Sequence, residues 1–444
     1  MSRIVIIGGG ESGSGAAVLA KIKGFDVFLS DFSEIKSQYK DILNSYQIDW
    51  EEKQHTEDKI LDADLVIKSP GVSDKVPLLK KIFDKSIPVI SEIEFASKYT
   101  NAKLVCITGS NGKTTTTMLV YHLLKNAGLN VGIAGNVGQS FAFQVATKSF
   151  DIYVLELSSF QLDGIRDFKA DIAILLNITP DHLDRYEYKF QNYIDSKFKI
   201  IQNQLDTDAF IFWEHDPVIK QELSKRNVCS TLYPFALEQS ENTSAYLDNN
   251  ELVIKTLKTN LTMSTAELAL QGMHNTFNSM AAGLAASIMN VRKETIRQSL
   301  QDFKGVEHRL EYVATVKNVK FVNDSKATNV NSCWYALQSI NTPIILILGG
   351  TDKGNDYTEI EELISSKVKL LIFLGVDNEP LHRFFDDKLK KCIDVNSMEQ
   401  AVKLAYENAV SGDTVLLSPC CASFDLFQNY EDRGTQFKTC VRNL

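Results

Sequence analysis

At 444 residues the chain is longer than one hydrophobic core usually organises, so two to four domains are expected. Its apolar fraction of 44% and charged fraction of 23% are ordinary for a globular protein, and a net charge of −9 argues against a dedicated nucleic-acid binder. Seven cysteines without a C-x-x-C pair suggest neither a zinc site nor a disulfide framework, which fits a reducing cytoplasm.

The N-terminus, Met1-Ser2-Arg3-Ile4-Val5-Ile6-Ile7-Gly8, runs directly into a strand and a glycine turn rather than a signal peptide. No apolar run approaches the ~18 residues that span a bilayer, so no membrane insertion is expected. After the strand at 4–7, Gly8-Gly9-Gly10-Glu11-Ser12-Gly13 satisfies G-x-G-x-x-G, and a helix is expected over 14–23, ahead of Gly24. A second strand at 26–30 ends at Asp31, an acid placed for a ribose hydroxyl. The motif reports a helix N-terminus ready for a diphosphate, which a nucleotide sugar supplies as well as NAD does. Leu65-Val66-Ile67-Lys68-Ser69-Pro70-Gly71 adds another strand ending in a turn. The first domain is placed at residues 1–93.

The apolar strand at 103–107 opens the middle region. It runs into Gly109-Ser110-Asn111-Gly112-Lys113-Thr114-Thr115, followed by helical spacing over 116–127 and a stop at Gly128. G-x-x-x-x-G-K-[ST] would need glycine at position 107, where Ile107 stands; the loop is the shorter Gly109-x-x-Gly112-Lys113-Thr114. Strand, glycine loop, Lys-Thr and helix form a phosphate cradle. Backbone N–H groups attract the oxygens, Lys113 supplies charge and the Thr114 hydroxyl can hold Mg²⁺. Further strands at 130–134, 151–155 and 172–178 alternate with helices, the pattern of a doubly wound parallel sheet. The stretch 229–263 alternates, with a turn at Asp248-Asn249-Asn250, and predicts a small antiparallel addition. Helices are expected at 276–289 and 293–302. Gly305 marks a boundary, beyond which strands at 319–322, 344–348, 370–374 and 414–417 predict a last α/β domain.

Several polar residues stand at strand ends. Glu156, after the strand at 151–155, is a carboxylate suited to a Mg²⁺ that bridges phosphates. His182 alone reads as a packing or hydrogen-bonding histidine. Lys197, on a helix with Phe198 and Ile201, reads by itself as a solvated lysine. Asp324-Ser325-Lys326-Ala327-Thr328-Asn329 and Gly349-Gly350-Thr351-Asp352-Lys353-Gly354 are either polar turns or ligand-binding edges.

Quoted together, Thr108 to Thr115, Glu156-Leu157-Ser158-Ser159-Phe160-Gln161-Leu162, Asn323 to Asn329, Ser418-Pro419-Cys420-Cys421-Ala422-Ser423-Phe424-Asp425 and Tyr430-Glu431-Asp432-Arg433-Gly434 resemble the Mur ligase family. Within it they are similar to the branch that adds D-glutamate. The resemblance covers the chain in order. It implies an α/β protein of three domains: a Rossmann-like N-terminal domain (1–93) for the UDP end of the substrate, a central P-loop parallel-sheet ATPase domain with the antiparallel addition (94–304), and a Rossmann-like C-terminal domain (305–444) that binds the incoming amino acid and closes on ATP. It also implies ATP-driven amide formation between D-glutamate and UDP-N-acetylmuramoyl-L-alanine through an acyl phosphate, by a cytoplasmic monomer making peptidoglycan precursors.

Residue by residue, the resemblance puts Gly109, Ser110, Asn111, Gly112, Lys113, Thr114 and Thr115 at the ATP phosphates. Asn275, Asn278, Arg309 and Asp324 fall at the remainder of ATP. Thr114 and Glu156 fall at a first Mg²⁺, His182 at a second, and Lys197 becomes an anionic oxygen donor by carbamylation with CO₂. Lys113, His182 and Lys197 are thus the expected catalytic group. Ser12, Phe32, Ser69 and Gly71 fall at the uridine diphosphate, and Asn136, Ser158 and Gln161 at the muramoyl-alanine end. Lys326, Thr328, Lys353, Ser423 and Tyr430 fall at the incoming amino acid, where Phe424 and Tyr430 vary from aliphatic and phenylalanine types. The D-N-P-R signature of the diaminopimelate- or lysine-adding branch is absent. A dinucleotide oxidoreductase would leave the second phosphate loop without work. A folate-glutamate ligase shares the loop, but Ser-Ser-Phe-Gln and Ser-Pro-Cys-Cys-Ala-Ser favour the muramoyl substrate. A non-catalytic regulator would be expected to lack Lys113 or Glu156, and both are present.

Overall fold

Runs of Val, Ile and Leu too continuous to leave a solvated face form most inner strands of three sheets, as parallel sheets covered on both sides require. The computed structural model describes residues 2–352, 354–388 and 391–444. In the first sheet the strands lie in the order Asp49–Glu51, Asp26–Ser30, Arg3–Ile7, Leu65–Lys68, Val89–Ser91, all parallel. The winding reverses between Arg3–Ile7 and Leu65–Lys68. The loops after these two strands, 8–10 and 69–71, therefore flank the crevice where open α/β sheets bind ligands.

Six strands of the nine-stranded second sheet are parallel: Val131–Gly135, Ile152–Glu156, Lys103–Thr108, Ile172–Leu175, Ala209–Trp213 and Thr231–Phe235. The antiparallel addition comes after them. Ala245–Asp248 joins Thr231–Phe235 through one parallel pair and then meanders through Glu251–Lys255 and Asn260–Ser264. The third sheet runs Glu311–Val316, Val319–Asn323, Thr414–Cys420, Ile344–Gly349, Val368–Leu374, Cys392–Val395, antiparallel only at its first pair.

The chain divides into two compact units, residues 1–270 with 275–303, and residues 271–274 with 304–444. Two buried carboxylates on the short helix Glu92–Ser97 help join the first two sheets into one unit. Glu94 Oε2 accepts the backbone N–H groups of Arg166, Asp167 and Phe168 at 2.8, 3.1 and 2.9 Å. Glu92 Oε1 accepts from Ser140 Oγ at 2.7 Å and from the Ala142 N–H at 2.6 Å, and burial lifts its pKa to about 7.

Several elements depart from the sequence expectation. Asp49–Glu51, Val89–Ser91, Glu311–Val316 and Cys392–Val395 are strands without a predicted counterpart and are short or lie at sheet edges, where no long apolar run is needed; the interior apolar strand Ala209–Trp213 had no predicted counterpart either. The helix after the glycine loop starts at Lys113, because Thr114 to Thr117 are buried although polar and so hide the helical period. The strand expected at 172–178 ends at Leu175, and Asn177 turns to the glycine loop instead. Among the described residues no helix is long and apolar enough to cross a membrane.

Candidate active site

The strand Lys103–Thr108 delivers the glycine loop to the carboxyl edge of the second sheet, between Ile152–Glu156 and Ile172–Leu175. Gly112, at φ +82°, starts the helix Lys113–Asn126, and a Cβ there would stand 2.6 Å from Asn278 Oδ1. Left-handed backbone and a close neighbour together make this a glycine position. Asn278 Oδ1 in turn accepts from Thr116 Oγ1 at 3.1 Å, and Asn278 Nδ2 donates to Asn275 Oδ1 at 3.2 Å, so both buried asparagines stand against the start of the phosphate-loop helix. On the other flank Asn177 holds the loop open. Its carbonyl accepts the Ser110 N–H at 2.9 Å and its Oδ1 the Asn111 N–H at 2.8 Å. Ser110 Oγ also donates to the Thr179 carbonyl at 2.8 Å and lies 3.1 Å from Tyr193 Oη.

Two lysines converge on one carbonyl. Lys113 Nζ donates to Gly109 O at 2.7 Å and to Ser110 O at 2.9 Å, and Lys197 Nζ donates to the same Gly109 O at 2.8 Å. Lys197 is not the solvated lysine its local sequence suggests: it is 1% exposed, on the helix Phe190–Phe198, with Nζ 4.6 Å above the Tyr193 ring. Burial and then the Lys113 charge push its pKa well below the usual lysine value, against the opposing pull of Asp181 and Asp163. The amine is held towards its neutral form.

Glu156 ends its strand rather than following it, one strand over from Ile107, and is 1% exposed. Asn136 supports it twice, donating Nδ2 to Glu156 Oε1 at 2.7 Å and its backbone N–H to the Glu156 carbonyl at 2.8 Å. The second carboxylate oxygen, Oε2, is buried with no hydrogen-bond partner. An orphaned anionic oxygen is costly and marks a place for a cation. Together with the buried Thr114 hydroxyl this donor set fits a hard divalent ion. His182 has left-handed backbone, φ +53°, and accepts no such burial; its side chain is 38% exposed, with the ring 5.1 Å from that of Phe160. Ser158 and Gln161 form a capping box at the helix Ser159–Asp163, which carries Phe160.

At the first sheet, Ser12 is half-buried in the opening turn of the helix Glu11–Ile22. Gly13 sits where a Cβ would meet the Gly8 carbonyl at 1.8 Å, so the first turn of the helix admits only glycine there. Ser69 Oγ donates to Gly8 O at 3.2 Å, which ties the two crevice loops together; Gly71 is exposed beside them, and Phe32 is 72% exposed with its ring against His55. The Asp31 carboxylate accepts the N–H groups of Gly9 at 2.6 Å and Ser33 at 2.7 Å, one on each oxygen.

In the second unit the strand ends also gather predicted residues. Asp324 is buried, accepting the Leu310 N–H and the Ser418 hydroxyl, and burial lifts its pKa to about 6 although the nearby Arg309 charge opposes this. Arg309 Nε is buried without a partner. Lys326 Nζ donates to Tyr430 Oη at 3.1 Å, Thr328 turns back on Lys326 O through its N–H, and Ser423 is buried. Arg433 braces these turns from beneath, donating to Ser325 and to the Cys421 carbonyl. Lys353 lies outside the described residues.

Comparison with known proteins decides the lineage. The family described as Mur ligase middle domain matches residues 107–286, Mur ligase, glutamate ligase domain matches 308–421, and MurD N-terminal domain matches 3–77. The UDP-N-acetylmuramoylalanine–D-glutamate ligase of Bacteroides thetaiotaomicron is 60% identical over 445 residues, covering 100% of both chains. The chain belongs to the Mur ligase family. Solved Mur ligases share its fold: UDP-N-acetylmuramate-alanine ligase MurC from Thermotoga maritima superposes with a TM-score of 0.64 at 18% identity over 100% of both chains. MurF ligase from the same organism, in complex with ADP, gives 0.63 at 15% identity over 94% of this chain and 95% of that one.

The Mur ligase fold brings the loop 109–115, Glu156, Asn136 and Lys197 to one sheet edge, and joins Asn275 and Asn278 to it. Sequence reasoning missed Asn177 and Tyr193. Tyr193 had a legible signal, four residues before Lys197 and so on the same helix face. Asn177 had none, because its role depends on which strand is neighbour to the loop.

Proposed function

We propose that this chain is an ATP-dependent amide ligase that joins D-glutamate to the terminal carboxylate of UDP-N-acetylmuramoyl-L-alanine. The observation that carries the reading is the convergence of Lys113 and Lys197 on the Gly109 carbonyl, beside a buried carboxylate with one unpaired oxygen. A carboxylate is a poor electrophile until one oxygen becomes a good leaving group. ATP supplies that: the carboxylate attacks the γ-phosphorus, the bond to the β,γ-bridging oxygen breaks and ADP departs. The D-glutamate amine then attacks the acyl carbon, loses a proton and displaces inorganic phosphate.

The chain's own work is positioning and charge neutralisation. The N–H groups opening the 14-residue helix Lys113–Asn126 suit the β-phosphate, and Lys113 offsets charge that builds during transfer. Asn275 and Asn278, with Arg309 and Asp324, are assigned to the rest of ATP. Thr114 and Glu156 would hold one magnesium ion, and His182 with a carbamylated Lys197 a second; bound there, these ions neutralise phosphate oxygens. Carbamylation needs a neutral amine, which adds CO₂ through a new N–C bond and releases a proton. The lowered pKa of Lys197 supports that step. Ser12, Phe32, Ser69 and Gly71 take the uridine diphosphate, and Asn136, Ser158 and Gln161 the muramoyl-alanine end. Lys326, Thr328, Lys353, Ser423 and Tyr430 take D-glutamate.

In this reading residues 1–93, 94–304 and 305–444 are three working domains, the last closing on ATP, a division supported by the family matches at 3–77, 107–286 and 308–421. The enzyme is a cytoplasmic monomer making peptidoglycan precursors. The test is phosphate release with Mg²⁺, ATP and UDP-N-acetylmuramoyl-L-alanine. D-glutamate should trigger stoichiometric ADP and phosphate; no release, or equal release with L-glutamate, would refute the assignment.

A further inference from the structure

The crevice of the first sheet is short of positive charge for a diphosphate. Glu11 opens the helix Glu11–Ile22, Gly10 caps it with no side chain, and the Asp31 carboxylate sits on the Gly9 N–H. The nearest lysine of that edge, Lys68, is already engaged, donating to Val72 O at 2.8 Å and pairing with Asp74 at 3.0 Å. A helix N-terminus contributes only about half a charge.

A cation reaches this edge from the second sheet. Arg185, in the 3₁₀ turn Leu183–Tyr186, donates Nη1 to the Gly71 carbonyl and Nη2 to the Pro70 carbonyl, both at 3.4 Å. Its guanidinium lies 4.6 Å over the Phe160 ring, which also meets the His182 ring at 5.1 Å and stacks on that of Tyr186 at 5.9 Å. Loop 69–71 is itself held to loop 8–10 by Ser69 Oγ on Gly8 O. Among the described residues no carboxylate pairs with Arg185, and it is half-buried. Stacking and two long carbonyl bonds fix the plane of the guanidinium while leaving donors and a full charge for an anion.

We propose that Arg185 is a positioning residue whose guanidinium binds the diphosphate of the nucleotide-sugar substrate across the crevice of the first sheet. The inference rests on the ligase reading above.

The test compares wild type with Arg185→Ala and Arg185→Lys. In Arg185→Ala the KM for UDP-N-acetylmuramoyl-L-alanine should rise about 10- to 100-fold, the loss expected for a charge-assisted contact, with KM for ATP and D-glutamate unchanged. UDP, as a competitive inhibitor, should weaken by the same factor and uridine should not. Arg185→Lys should recover part of the loss, since it keeps the charge without the planar fork. An unchanged substrate KM in active Arg185→Ala, or equal weakening of UDP and uridine, overturns the proposal and leaves the ligase reading standing. A wild-type chain that releases no phosphate overturns the ligase reading and this proposal with it.

Discussion

Replacing Lys197 with methionine isolates the cost of burying an amine at the glycine loop. Methionine keeps a straight apolar stem over Tyr193 and removes the titratable group. In the unfolded chain a lysine binds its proton up to about pH 10.4. In the fold, burial and the Lys113 charge depress that value, so between the two pKa values the unfolded state binds more protons than the native one. Stability of the wild type must then rise with pH in that window, by about 1.4 kcal/mol per pH unit, whereas Lys197→Met lacks this contribution. Wherever the pH lies inside that window the wild type should gain on the variant by up to about 1.4 kcal/mol per pH unit. At a urea slope of about 3 kcal/mol/M this moves the difference in midpoints by up to roughly 0.5 M per pH unit. Urea unfolding in CO₂-depleted buffer at several pH values, followed by fluorescence, measures it. A difference that stays constant with pH would mean the amine remains protonated in the fold, and the electrostatic argument would fail.

Lys113→Ala removes the charge at the phosphates and should lower phosphate release by about 10³-fold or more; turnover near wild type would count against the loop as the ATP site. Lys197→Ala should lose most activity and regain part of it with formate or acetate, which can stand in for a carbamate; full activity without additive would refute the modification. Glu94→Ala strands three backbone N–H groups at residues 166–168, of which that of Phe168 is buried, and should cost about 2–4 kcal/mol in urea unfolding, with a loss below about 1 kcal/mol showing that the clasp is dispensable.

Much of the fold was legible because its signals are local. The continuous apolar strands, the glycine at the helix start and the Lys113-Thr114 pair each follow from steric or hydrogen-bonding rules that act within a few residues. Edge strands such as Cys392–Val395 were missed because exposure on one side leaves no apolar run to read. The catalytic reading of Lys197 came from resemblance to the Mur ligases, since the residues around it look like those of any surface helix.

Local sequence thus determined the phosphate loop, the glycine-rich turn at the first sheet and the alternation of strand and helix that makes the protein α/β. Tertiary structure alone decided that Lys197 loses its water beside Lys113, that Asn136 grips Glu156 and leaves one oxygen unpaired, and that Arg185 reaches the turn at 70–71. These contacts span from 20 to more than 100 residues, and strand order rather than residue period brings their partners together. Burial then converts that placement into chemistry, because a charge removed from water takes its properties from whichever groups the fold has set around it.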